Sequence, residues 1–322
     1  MAEQKTILVT GGAGMLGSHL CESLLARGNK VICLDNFLTG SRENISHLEN
    51  HPDFSLVVHD VVEPFDIKAD EIYNLACPTG PLRVKKDPVG TLRVCVWGAY
   101  NVLELARKTG ARVLQTSTSE IYGDPTISPQ AESYTGNVDT MGTRACYDEG
   151  KRAAETLFMD YHRQHGVRIR ICRLFNAYGP RMRMDDDRVI RTFIVQALNG
   201  EPITLHGDGS QTRSFCYVDD MVQAIIRLME EAPASATGPV NLGSPHPMTI
   251  LEFAEAVQKA CGTNVPVIHT PRPDDDPTHR RADISLARQM LGWEPTTSLE
   301  DGLAKTAAYY RSLLQTQTRA AA

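Results

Sequence analysis

A chain of 322 residues with 42% hydrophobic content can fill one large core or two unequal ones, and its composition is that of a soluble globular protein. Its net charge of -6 comes from 33 basic and 39 acidic residues that are scattered rather than clustered, which excludes the electrostatic footprint of a nucleic-acid binder. No apolar stretch approaches the ~18–20 residues that span a bilayer, and the start from Met1 to Lys5 lacks a signal-peptide plan, so neither a membrane nor a nucleic acid is expected as a partner. The eight cysteines, Cys21, Cys33, Cys77, Cys95, Cys146, Cys172, Cys216 and Cys261, form no C-x-x-C pair and mostly lie in apolar runs. They read as reduced core thiols of a cytoplasmic protein, and no metal is called for.

Thr6 to Thr10 is a short apolar run that ends in Gly11-Gly12-Ala13-Gly14-Met15-Leu16-Gly17, after which apolar residues recur at helical spacing as far as Gly28. This is strand, glycine turn, helix. Gly11, Gly14 and Gly17 let the backbone approach a pyrophosphate, with the amides around Met15 and Leu16 at the positive end of the helix. A second strand, Lys30 to Asp35, ends in an acid eighteen residues past Gly17, followed by Asn36. A carboxylate at Asp35 would accept hydrogen bonds from an adenosine ribose and repel a 2'-phosphate, so NAD is favoured over NADP.

Alternation continues through Phe54 to Val58, Asp60-Val61, Glu71 to Ala76, a helix from about Pro88 to Lys108 and a strand from Arg112 to Ser117. The fold class is α/β, a doubly wound parallel sheet of Rossmann type, with a smaller C-terminal α/β region. In such sheets ligands lie beyond the carboxyl ends of the strands, so Asp60, Val61, Leu75, Ala76 and Thr116 should face the cofactor. The segment from Thr116 to Asp124 brings Thr118, Ser119 and Glu120 to the same edge.

Tyr147 and Lys151 are four apart on the next helix, a spacing that sets side chains roughly 5–6 Å from one another. An ammonium there would stabilise phenolate and lower a pKa that starts near ~10, making Tyr147 a base for a hydroxyl proton. After a strand from Arg168 to Arg173, regular alternation stops near Pro180, dividing the chain into a cofactor-binding part, 1–180, and a substrate-binding part, 181–322, with a return strand near Val240 to Gly243. Helices are expected at about 188–199, 218–231, 250–260, 284–291 and 299–314, with a frayed end from Thr316. Asn176, Arg181, Arg188, Arg213 and Arg272 lie on loops of this second half, where arginines suit a diphosphate, so a nucleotide sugar is the natural ligand.

The G-x-x-G-x-x-G spacing resembles the extended branch of the short-chain dehydrogenase/reductase superfamily. The strings 116–125, 144–152 and 207–220 are similar to those of UDP-glucuronic acid decarboxylases, also called UDP-xylose synthases, over nearly the whole chain. The resemblance implies retained NAD and a UDP-sugar substrate, oxidised at C4, decarboxylated and re-reduced. It implies Thr118, Glu120, Tyr147, Lys151 and Arg213 as catalytic groups, Asp60 near adenine, Ser119 and Tyr217 among the substrate contacts, and a homodimer joined through the helices near 89–108 and 147–166. A 4,6-dehydratase would carry Asp-Glu where this chain has Ser119-Glu120. A UDP-glucuronate 4-epimerase needs only Thr118, Tyr147 and Lys151, and an NAD-binding scaffold would need none of them. The chain departs from the decarboxylase pattern at Thr79-Gly80, at Val84 and at Cys95, where an asparagine is usual.

Overall fold

The computed structural model of the chain describes residues 3–271 and 279–321. Seven parallel strands form the central sheet. Its order from one edge is Phe54–Val58 (β3), Lys30–Asp35 (β2), Thr6–Thr10 (β1), Glu71–Asn74 (β4), Arg112–Thr118 (β5), Ile169–Leu174 (β6) and the strand Val240–Leu242. The order reverses direction between β1 and β4, so the crevice beyond their carboxyl ends is the topological switch point where ligands bind in such sheets. Strands covered on both faces must be apolar along their length rather than alternating. Ile7, Leu8, Val9, Ile72, Val113 and Leu114 are fully buried, as that geometry demands.

The helix Met15–Ala26 (α1) starts at the glycine turn, and the register sets Thr10 beside Asn74 and Asn74 beside Gln115. Those polar side chains join in a buried line under the crevice. Thr10 Oγ1 donates to Asn74 Oδ1 at 2.6 Å, and Asn74 Nδ2 donates to Gln115 Oε1 at 2.7 Å.

The expected helix from Pro88 to Lys108 is built in three segments, Pro88–Arg93 (α3, after the short helix Pro81–Lys86, α2), a π-helical turn Val94–Gly98, and Ala99–Thr109 (α4). Asp87 caps α3 by accepting from Gly90 N at 2.9 Å, and Pro88 at the first position needs no amide partner. The π turn widens the helix by one residue and leaves Cys95 buried toward the helix Ala145–His165 (α5).

The return strand Val240–Leu242 pairs with β6, held by a buried network. Arg173 on β6 ion-pairs with Glu155 on α5 at 2.7 Å and donates to Tyr122 Oη at 3.0 Å, while Tyr122 donates to Asn241 Oδ1 at 2.8 Å. Beyond the sheet, helices run over Val189–Asn199, Val218–Glu230, Ile250–Cys261 and Ser285–Leu291. The last helix, Leu299–Ala321, continues through Thr316, where a frayed end was expected. Among the described residues no helix is long and apolar enough to cross a membrane.

The glycine turn tolerates little change. Gly11 has φ +69° and packs its α-carbon edge on Ala76, and a methyl at Gly17 would drive into the Gly11 carbonyl and approach Gly12 Cα to 2.8 Å. Replacing Gly17→Ala should cost about 1–3 kcal/mol as overpacking. A lowered urea midpoint with an unchanged slope is the expected observation, and an unchanged midpoint would show that the turn can relax.

Candidate active site

A cavity of about 640 Å³ lies across the carboxyl ends of β1, β2, β4, β5 and β6 and extends toward the second half of the chain. At one end it is lined by Gly11, Gly14, Met15, Leu16 and Gly17. Gly14 caps α1 without a side-chain hydrogen bond, and the first turn carries no acid, so backbone amides and the helix dipole are what α1 offers an anion there. Asp35, Asn36, Asp60 and Val61 form the next stretch of wall. Asp35 accepts from Ala13 N at 3.0 Å and Phe37 N at 2.8 Å, and Asn36 Nδ2 donates to Asp60 Oδ2 at 3.0 Å. Burial raises the Asp35 carboxyl against those two amides, and each oxygen keeps a further lone pair for a ribose hydroxyl. Leu75, Ala76, Cys77 and Thr116 complete the cofactor side. These residues fit a dinucleotide: anion-seeking amides at one point, a hydroxyl-accepting acid at the next, and apolar wall beyond.

The central group is built by α5 on the end of β5. Lys151 is buried at 4% exposure, and its ammonium donates to the Thr116 carbonyl at 2.9 Å. One turn earlier Tyr147 sits with its ring centroid 5.9 Å from the Lys151 ammonium and its hydroxyl hydrogen-bonded to Thr118. Among the chain's own groups, the Lys151 charge is not one of the larger influences on the Tyr147 phenol. Burial, together with Cys77 and Glu120, pushes Tyr147 well above its ordinary range, and the Thr118 bond opposes them. Lys151 gives one of its three donors to the Thr116 carbonyl, which ties β5 to α5 and leaves its charge beside Tyr147.

At the far side Glu120 is gripped by Arg144, and Arg280 Nη1 donates to its other oxygen at 3.5 Å. Arg280 arrives because the short strands Thr212–Arg213 and His279–Arg280 run parallel with Arg213 and Arg280 in register. Glu120 is desolvated, which raises its carboxyl, but Arg144 and Arg280 outweigh burial and hold it below its usual value. Behind it Asp148 is pushed up to about 7 by burial first and by Glu120 second, and it hydrogen-bonds to Glu120. With Glu120 held ionised and Asp148 raised, Asp148 is the member of the pair that takes up a proton, which it directs at Glu120. Asp148 Oδ1 itself is buried without a partner.

Most residues named from sequence meet here. Ser119, Asn176, Arg181, Arg188 and Arg213 all line the cavity. Two of these arginines have committed charges: Arg188 forms a bidentate pair with Asp186 at 2.7 and 2.8 Å, and Arg181, at φ +68°, pairs with Glu22 at 2.6 Å. Tyr217 does not line the cavity; its ring lies edge-on to Tyr178 at 5.6 Å and under the Lys305 ammonium. Arg272 lies outside the described residues. Sequence reasoning missed Arg144, Asp148 and Arg280 as site groups. The first two lie four apart at the start of α5 and could have been found from helical spacing, whereas nothing local marks Arg280.

A crevice of this build is suited to oxidising a sugar alcohol with a dinucleotide, which is the work of the extended short-chain dehydrogenase/reductase class. Residues 7–243 match the NAD dependent epimerase/dehydratase family, and the cofactor is NAD. The chain is 53% identical over 298 residues to UDP-glucuronic acid decarboxylase 6 of Arabidopsis thaliana, covering 92% of this chain and 86% of that one. It is 47% identical over 315 residues to UDP-glucuronic acid decarboxylase 1 of Danio rerio, covering 98% and 75%. A crystal structure of UDP-glucuronic acid 4-epimerase from Bacillus cereus superposes with a TM-score of 0.87 at 29% identity, covering 96% of this chain and 99% of that one. The chain belongs to the UDP-glucuronic acid decarboxylase family.

The Glu120–Asp148 pair makes stability pH-dependent. A carboxyl raised from 3.8 to about 7 favours the fold below its ordinary value and loses that contribution as pH rises through about 7. Asp148→Asn keeps a donor toward Glu120 at every pH, so the variant should gain on the wild type by roughly 1–3 kcal/mol between pH ~4 and pH ~7. Urea unfolding of both at several pH values measures this, and parallel pH profiles would mean that Asp148 holds no proton there.

Proposed function

We propose that the protein converts UDP-glucuronic acid to UDP-xylose and carbon dioxide through a UDP-4-keto sugar. The observation that carries this reading is Glu120 clasped by Arg144 and Arg280 beside the Thr118–Tyr147 pair, a charged end of the site for the substituent on C5 next to the groups that work on C4.

Bound NAD supplies the hydride acceptor for C4, a positive ring charge that favours phenolate, and the hydride that restores the alcohol. Tyr147 takes the proton of the 4-hydroxyl, and Thr118 orients that oxygen. With C4 a ketone, the carboxylate on C5 belongs to a β-keto acid, and loss of carbon dioxide leaves an enolate whose oxygen Thr118 and Tyr147 stabilise by donation. Arg213 and Arg280, adjacent in register, receive the carboxylate and offset the like charge of Glu120. A proton held by Asp148 and relayed through Glu120 replaces the carboxylate at C5. Tyr147 then gives its proton back to the C4 oxygen, so the cycle is redox-neutral. Ser119 in place of an acid argues against elimination of water.

Incubating the protein with UDP-glucuronate and NAD should release carbon dioxide and yield a UDP-pentose by NMR, whereas UDP-galacturonate would move the protein to the epimerase reading and unchanged substrate would leave only a scaffold. Tyr147→Phe should lower kcat by about 10²–10⁴ with NAD binding retained; a smaller loss would remove Tyr147 from the proton step.

The protein is also inferred to be a cytoplasmic homodimer. Eight free thiols fit a reducing compartment. Val89, Leu92, Trp97 and Tyr100, exposed by 70%, 39%, 54% and 46%, recur along α3, the π turn and α4, an apolar stripe that a second copy would cover. Light scattering should give twice the chain mass for the wild type and the single-chain mass for a Trp97→Glu/Tyr100→Glu variant. A monomeric wild type would remove the dimer.

A further inference from the structure

Two thiols stand face to face in the wall of the crevice. Cys77, in the loop after β4, lines the cavity, and its sulfur lies 3.3 Å from that of Cys95 on the π turn. Cys95 is 3% exposed and does not line the cavity. The contact with Cys95 and the nearby Lys151 ammonium draw Cys77 below the usual thiol range against the cost of burial, while that same contact and burial raise Cys95. A half-buried sulfur on the cavity wall in contact with a fully enclosed partner is the arrangement a peroxide-reactive pair needs. A disulfide is ~2.05 Å long, so the sulfurs must close by just over ~1 Å.

Cys95 is packed closely on α5, where a methyl at Gly150 would lie 2.8 Å from Cys95 Cβ and 3.1 Å from its sulfur. Cys77 instead belongs to a loop, 77–80, that forms cofactor-side wall next to Ala76 and Lys151, so drawing the two sulfurs together shifts that wall.

We propose that Cys77 and Cys95 form a dithiol that peroxide converts to a disulfide, and that the linked form binds NAD poorly and is reversibly inactive. The Cys77 thiolate attacks hydrogen peroxide, giving a sulfenic acid and hydroxide. Cys95 then attacks the sulfenic sulfur and water leaves, so that two thiols lose two electrons and two protons while one peroxide becomes two waters. The loss of activity rests on the decarboxylase reading, but the linkage does not.

The test uses the full-length chain with graded hydrogen peroxide, alkylation, proteolysis and mass spectrometry. A peptide joining Cys77 to Cys95, two hydrogens lighter than its parts, is expected. NAD affinity and carbon dioxide release should fall at least tenfold in step with it, and dithiothreitol should restore both. Cys95→Ser removes the second sulfur but keeps a donor toward Cys77. Its basal turnover should match the wild type, and under peroxide dimedone should label Cys77 with no linked peptide. Cys77 remaining alkylatable at doses that oxidise a free thiol, or pairing with Cys146 instead, overturns the dithiol. A fully linked chain that binds NAD with undiminished affinity overturns its inhibitory role. Should the substrate assignment fail, linkage and NAD affinity still decide the matter.

Discussion

The structure depends on a buried ammonium satisfied by a backbone carbonyl. Lys151 at 4% exposure would be costly to bury without a partner, and the Thr116 carbonyl it reaches also accepts from Gln115 Nε2 at 3.1 Å. Gln115 is bonded to Asn74 and Asn74 to Thr10, so one line of hydrogen bonds runs from the charge on α5 across the ends of three parallel strands. The line locks α5 against β5 at one height. With that height set, Tyr147 falls one helical turn away, beside Thr118 at the last position of β5.

The other end of the site is a problem in charge balance. Glu120 is buried among positive groups that keep it ionised, while Asp148 behind it is driven toward protonation. Neither state would persist alone. Arg144 comes from the approach to α5 and Arg280 from a strand more than 130 residues later, so the balance needs both halves of the chain. The same division of labour appears in the core, where Arg173, Glu155, Tyr122 and Asn241 tie the late strand Val240–Leu242 to the sheet begun by the first half.

The likeness to both decarboxylases and epimerases follows from this layout. The proposed C4 machinery of Thr118, Tyr147 and Lys151 would serve any chemistry that begins by oxidising that carbon. What would distinguish the outcomes is the set of groups around the C4 machinery, and here the cavity wall beside Tyr147 carries Ser119, Glu120, Arg213 and Arg280.

Local patterns in the sequence were enough to specify the Rossmann half. Strand, glycine turn and helix around Gly11, Gly14 and Gly17, the acid at Asp35, and the four-residue spacing of Tyr147 and Lys151 are short-range features, and backbone geometry carries each directly into three dimensions. The break of the α3–α4 helix into a π turn was not legible, because it answers to the packing of Cys95 and Gly98 against other elements. Nor was the raised Tyr147 phenol, which depends on the burial of every group around it. Tertiary structure alone decided that Arg181 spends its charge on Glu22, that Tyr217 packs on Tyr178 outside the cavity, and that Arg280 reaches Glu120. Side-chain partners separated by a hundred residues are chosen by strand register and helix packing, and those leave no periodicity in the chain to read.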